Sequence, residues 1–181
     1  QPQPAAHESM LLNMLADVVA TDIAPGLRLS AIGATQRLSE LEFDMSLTRT
    51  NVGNLTQALA SVGLQGPPLS PAVLQRPFTG HLRGFMDMVF EHQGRHYVVD
   101  WKSNHLGSTP VAYHDAGMER AMQVHGYHLQ ATLYALALRR HLRLSLGDQN
   151  LDAAWGGAVV LFVRGVRPSW RQADGRPTGV V

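Results

Sequence analysis

The chain has 181 residues, the size of one ordinary domain, and its 45% apolar content is enough for a packed core. Its formal net charge is only +1, which gives no global signature of nucleic-acid binding; a basic groove would have to come from local clusters such as Arg139-Arg140-His141-Leu142-Arg143. Zero cysteines exclude disulfides and zinc-thiolate sites and fit the cytoplasm, while no apolar run approaches a membrane span, so no membrane partner is expected.

The chain opens with Gln1-Pro2-Gln3-Pro4, without an initiator Met, and stops after Pro177-Thr178-Gly179-Val180-Val181. It reads as a single domain, 1–181, cut from a larger protein at both ends. From Glu8 to Val19, Met10, Leu11, Met14, Leu15, Val18 and Val19 recur at helical spacing. Leu38 to Leu47 reads as a strand through Glu40-Leu41-Glu42-Phe43. A short helix is expected over Leu55 to Val62, and Gln65 to Pro71 is a loop by composition.

Two strands follow, Leu82–Phe90 and His96–Trp101. The link His92-Gln93-Gly94-Arg95 is short enough only for a hairpin. Asp115 to Leu142 is strongly helical, with Gly126 placed to break or kink it. Gly157 to Val163 is a short apolar run bounded by glycines, the pattern of a buried strand. The order predicts an α/β fold, a mixed β-sheet flanked by helices. The nine histidines are scattered and form no close metal-binding pair on one helix face.

Lys102 is the single lysine beside fourteen arginines, two residues after Asp100 in Asp100-Trp101-Lys102. Arginine stays charged and recognises by a planar fork, whereas lysine is a compact ammonium suited to chemistry beside a metal or a water. With the turn near Gln93-Gly94, residues whose numbers sum to about 187 face each other. Asp87, in Gly84-Phe85-Met86-Asp87, then lies opposite Asp100. Cross-strand partners on one face have Cβ atoms roughly 4.5–5.5 Å apart, so the two carboxylates repel unless a cation joins them. Hard oxygen donors suit magnesium or manganese. Lys102 emerges on the same face as Asp100. Two carboxylates, a metal and an ammonium fit phosphodiester hydrolysis. The metal polarises a phosphate oxygen and lowers the pKa of a bound water, while Lys102 orients the water or offsets developing charge.

Gly84-Phe85-Met86-Asp87, Asp100-Trp101-Lys102-Ser103-Asn104 and Gln130-Ala131-Thr132-Leu133-Tyr134 resemble the RecB-like branch of the PD-(D/E)xK nuclease superfamily, the nuclease-domain type of the RecB subunit of exodeoxyribonuclease V. The similarity runs from about Leu38 to Val166. It implies a restriction-endonuclease-like fold and a Mg2+-dependent deoxyribonuclease, with Mn2+ as a substitute. It also implies that Asp87, Asp100 and the backbone carbonyl of Trp101 hold the metal, that Lys102 is catalytic, and that Gln130 and Tyr134 sit beside the site and the DNA. Glu42 is the weaker candidate for a further acid. Gln130 and Tyr134 are four apart and share a helix face, a spacing that Gln123 and Tyr127 repeat.

The implied partners are DNA, the helicase part of the same polypeptide, RecC-like and RecD-like subunits, and recombinase protein, in double-strand break repair and recombination. The family's upstream metal-binding histidine, in Gly-x-x-x-His, is not found. His7 lacks the preceding glycine, which is read as loss of that helix. The chain is therefore expected to bind metal weakly and cleave poorly by itself. The competing expectation is a non-catalytic module that binds DNA or recombinase.

Overall fold

A computed structural model describes residues 4–61 and 69–181. Helix α1 (Pro4–Ala20) ends where the Thr21 hydroxyl donates to the Asp17 carbonyl at 2.6 Å. A small antiparallel ribbon, β1 (Asp22–Ala24) and β2 (Leu27–Arg28), turns at Gly26 in the left-handed region, φ 73. The long strand β3 (Arg37–Asn51) contains the expected Leu38–Leu47 segment and runs into α2 (Val52–Ser61). The helix expected from Leu55 thus starts three residues earlier; Val62 and residues 65–68 of the expected loop lie outside the described residues. Pro71, expected in that loop, instead opens α3 (Pro71–Gln75), in keeping with proline's tolerance at the first helical position.

The hairpin follows as expected: β4 (Pro77–His92) and β5 (Arg95–Lys102) are antiparallel neighbours, paired from His92↔Arg95 to Met88↔Val99. Gln93 (φ 52) and Gly94 (φ 76) form the two-residue turn, both left-handed as a tight hairpin requires. The expected long helix divides at Gly126 (φ 69) into α4 (Asp115–Val124) and α5 (Tyr127–Leu146). After α6 (Leu151–Ala154), β6 (Trp155–Phe162) runs parallel to β5, so α4 and α5 serve as the crossover between parallel strands. Strand β6 begins two residues before Gly157. Gly156 is required there by packing: a Cβ would lie 2.5 Å from Cζ of Tyr97.

The sheet order is β3-β4-β5-β6, mixed in direction, with layers on both faces. On one face Val18, Ile23, Leu27, Leu29 and Ile32 pack against Met88, Phe90, Val99 and Leu161. On the other, Ala137, Leu138 and Leu142 of α5 cover Met45, Met86, Val89 and Val98, and Met118 and Met122 of α4 cover Val160 and Phe162. The C-terminal apolar run covers the free edge of β6: Val181 and Val160 exchange backbone hydrogen bonds at 2.9 and 3.0 Å. Most of the α1 stripe is not core. Val18 is buried, but Met10, Leu11, Leu15 and Val19 are 61%, 51%, 51% and 41% exposed. No helix of the described residues is long and apolar enough to cross a membrane.

Candidate active site at the end of the central hairpin

Alternation along β5 sends Tyr97, Val99 and Trp101 to the α1 face, and Val98, Asp100 and Lys102 to the α5 face. The β4–β5 ladder stops at Met88↔Val99, one step before Asp87 and Asp100. Asp87 Oδ2 instead accepts the backbone N–H of Trp101 at 2.8 Å. Alternation in β4 is broken at this point, because Met86 packs on the α5 face and Met88 on the α1 face. On β3 the facing residue is Glu40, between the pairs Ser39↔Met88 and Leu41↔Met86, and it takes φ 54. A non-glycine residue in the left-handed region marks local strain, here across the strand from Asp87.

Asp100 and Lys102 are 3% and 8% exposed, and Lys102 Nζ lies 2.7 Å from Asp100 Oδ2. Beyond this contact, Asp100 Oδ2 has no hydrogen-bond partner among the described residues. The contact is thus a buried ion pair with acceptor capacity to spare. Lys102 Nζ donates to Gln130 Oε1 at 2.6 Å and lies 4.0 Å from the centroid of the Tyr127 ring. Gln130 Nε2 donates to Tyr134 Oη at 2.8 Å, and the Tyr134 ring meets Phe43 edge-on at 5.8 Å.

Burial pushes the Asp100 carboxyl up from 3.8 to about 6; the Lys102 ammonium opposes the shift and the Asp87 charge adds to it. The Tyr134 hydroxyl is also raised, chiefly by burial, with Gln130 opposing and both acids contributing. Five of the residues expected in the site, Asp87, Asp100, Lys102, Gln130 and Tyr134, therefore form one connected cluster. Trp101 joins it through its backbone, while its indole packs on the α1 face.

Glu42 stands apart. Leu41 and Phe43 take the α5 face, so Glu42 points to the other, where it is exposed and ion-paired with Arg83. His7 is exposed in the first turns of α1. Among the described residues no group of three or more His, Asp or Glu side chains converges on a metal position. Two neighbouring carboxylates nevertheless fit a hard divalent ion, which is commonly held by one or two carboxylates with waters and substrate phosphates. The buried, unsatisfied Asp100 oxygen beside a second acid is where such a charge would be accommodated.

Tyr127 and Asn104 were not expected in the site. Tyr127 places its ring against Lys102, and its hydroxyl donates to Asn104 Oδ1 at 3.1 Å. The sequence does carry a signal for Tyr127: with Gln130 and Tyr134 it completes an i, i+3, i+7 stripe on one face of α5.

A family model described as the PD-(D/E)XK nuclease superfamily matches residues 9–173. The RecBCD enzyme subunit RecB of Escherichia coli (strain K12) is 39% identical over 144 residues, which are 78% of this chain and 12% of the relative. The RecBCD enzyme subunit RecB of Mycobacterium tuberculosis (strain ATCC 25618 / H37Rv) is 36% identical over 176 residues, 87% of this chain and 16% of the relative. That of Buchnera aphidicola subsp. Schizaphis graminum (strain Sg) is 30% identical over 141 residues, 77% of this chain and 12% of the relative. The chain thus spans only 12 to 16% of the length of these relatives.

Proposed function

This chain belongs to the PD-(D/E)XK nuclease superfamily, and from that premise we propose that it hydrolyses phosphodiester bonds of DNA with Mg2+, or Mn2+ in its place, as cofactor. The observation that carries the reading is the convergence of Asp87, Asp100 and Lys102 at the open end of the β4–β5 ladder, with Gln130 and Tyr127 holding the lysine. A buried ammonium braced by three neighbours serves chemistry better than it serves a binding surface, which favours hydrolysis over the non-catalytic module.

Asp87 and Asp100, with the Trp101 carbonyl, would hold the cation. When bound, a divalent cation there polarises a phosphate oxygen and makes water a better nucleophile. Asp100 also aligns Lys102 through the ion pair. Lys102 presents N–H donors toward the attacking water and the charge that develops on the phosphate. Gln130 fixes the ammonium with its carbonyl and passes orientation on to Tyr134 through its amide. Tyr127 closes one side of Lys102 and restricts its motion.

The similarity to RecB subunits supports a place for this domain in a helicase-nuclease of the cytoplasm. Its neighbours would be a helicase portion and RecC-like and RecD-like subunits, with recombinase protein as a further partner, acting in double-strand break repair and recombination. The test is degradation of linear single-stranded and duplex DNA. Cleavage is expected with Mg2+ or Mn2+, and is expected to vanish with EDTA and in Asp100→Asn. Cleavage that is indifferent to EDTA overturns the reading.

A further inference from the structure

A cleft of about 680 Å³ lies between α1 and the segments that follow β5 and β6. Arg164, Arg167 and Trp170 form one wall, and Met10, Leu11 and Met14 of α1, with the polar Asn13 and the acidic Asp17, line the other. The cleft is tied to the site through the backbone: Arg164 Nε donates at 2.8 Å to the carbonyl of Ser103, the residue after Lys102. We propose that this cleft carries a single DNA strand to or from the reacting phosphate, with its phosphates on the arginine wall and its bases on the α1 wall. The proposal rests on the nuclease reading and deepens it by naming the substrate strand's path.

The arginine wall is not ion-paired, although Asp17 of α1 lines the same cleft. Neither Arg164 nor Arg167 has a carboxylate within ion-pair reach among the described residues, whereas Arg28, Arg83, Arg139, Arg143 and Arg176 each have one. Arg167 lies 4.6 Å from the Trp170 ring centroid, and its Nε is buried with no hydrogen-bond partner. A guanidinium without an ion-pair partner is suited to phosphate, the acceptor that matches its fork. Trp170 holds the guanidinium in place.

The α1 wall supplies the complementary property. Met10 and Leu11 are 61% and 51% exposed in this chain. A single strand has anionic phosphates along one side and apolar base faces on the other, which matches a cleft with a cationic wall facing the Met10, Leu11 and Met14 side chains. The volume is of the order that holds a small-molecule-sized ligand, roughly 300–1,000 Å³, which is room for a short stretch of one strand.

The test uses fluorescence anisotropy of labelled oligothymidylate in EDTA, where no hydrolysis intervenes. Arg167→Gln is expected to weaken binding about tenfold and to lower the salt dependence by about 0.7, the slope for one phosphate contact on a single strand. Trp170→Leu should weaken binding similarly. Arg167→Lys keeps the charge and should fall between, and it carries the test if Arg167→Gln lowers the melting temperature. Arg95→Gln, in the hairpin turn at the opposite end of β5, should bind as the parent does. Unchanged affinity and salt slope in both Arg167 variants overturn the strand path, as does equal competition by polyglutamate, which would make the cleft a site for acidic peptide. Lys102→Ala tests the nuclease reading separately: persistent hydrolysis there removes that reading, while the Arg167 affinities still decide the cleft.

Discussion

The backbone N–H of Trp101 donates to Asp87 Oδ2 at 2.8 Å, one step beyond the last backbone pair of the central hairpin. A side-chain carboxylate has replaced a ladder carbonyl at that step. The β4–β5 ladder ends where the two acids stand. Asp87 thus has two duties, one to the backbone and one to the proposed cation.

Those duties separate by substitution. Asp87→Asn keeps an oxygen acceptor for the Trp101 N–H but halves the carboxylate charge of the site. It should lose Mn2+ binding in calorimetry while melting close to the parent. Asp87→Ala also leaves the Trp101 N–H unpaired and should cost about 1–3 kcal/mol in addition. Equal Mn2+ affinity in parent and Asp87→Asn would remove Asp87 from the ligand set.

Asp100 makes stability depend on pH with a definite sign. Its carboxyl rises from 3.8 to about 6 on folding, chiefly through burial, so between those values the folded chain binds more protons than the unfolded one. Its contribution to stability is therefore greatest below pH 4, falls as pH rises to about 6, and stays as a cost above that. Metal-free Asp100→Asn lacks this dependence. The variant's melting temperature relative to the parent should rise between pH 4 and pH 7 and then level off. A difference that is flat across that range contradicts the buried, proton-binding acid.

Tyr127 acts through Lys102. Tyr127→Phe retains the ring against the ammonium and loses only the hydrogen bond to Asn104, whereas Tyr127→Leu loses both. A cation–π contact contributes about 0.5–2 kcal/mol, so the leucine variant should lose roughly two- to thirtyfold in kcat. KM should stay within about twofold and the phenylalanine variant should stay near the parent. A phenylalanine variant as impaired as the leucine one would shift the role from the ring to the Asn104 bond.

The hairpin was legible in the sequence because a two-residue link at Gln93-Gly94 leaves a single register, which holds from His92↔Arg95 to Met88↔Val99 and ends one step short of Asp87 and Asp100. The break at Gly126 was legible for a similar reason, since φ 69 is easy for glycine and costly for other residues. The side taken by Glu42 was not. Alternation predicts that Glu40 and Glu42 share a face but cannot say which, and the left-handed Glu40 interrupts the pattern. The surroundings of Lys102 were only half legible, because Gln130 and Tyr127 reach it across the sheet-to-helix packing. The α1 stripe misled: helical spacing of apolar residues marks a face, and only packing tells whether the chain covers it.

The most direct measurement is single-turnover cleavage of labelled linear DNA by excess protein in Mn2+, comparing the parent with Lys102→Ala and Lys102→Arg. Excess protein reads even slow cleavage, and anisotropy in EDTA checks that each variant still binds DNA. Both substitutions should lower the cleavage rate by about 100-fold or more with little loss of binding. Alanine removes the ammonium, and a planar guanidinium does not fit between Asp100, Gln130 and the Tyr127 ring. Cleavage by either variant at the parental rate would contradict the assignment of Lys102 to the chemistry, and with it the active site proposed at the end of the hairpin.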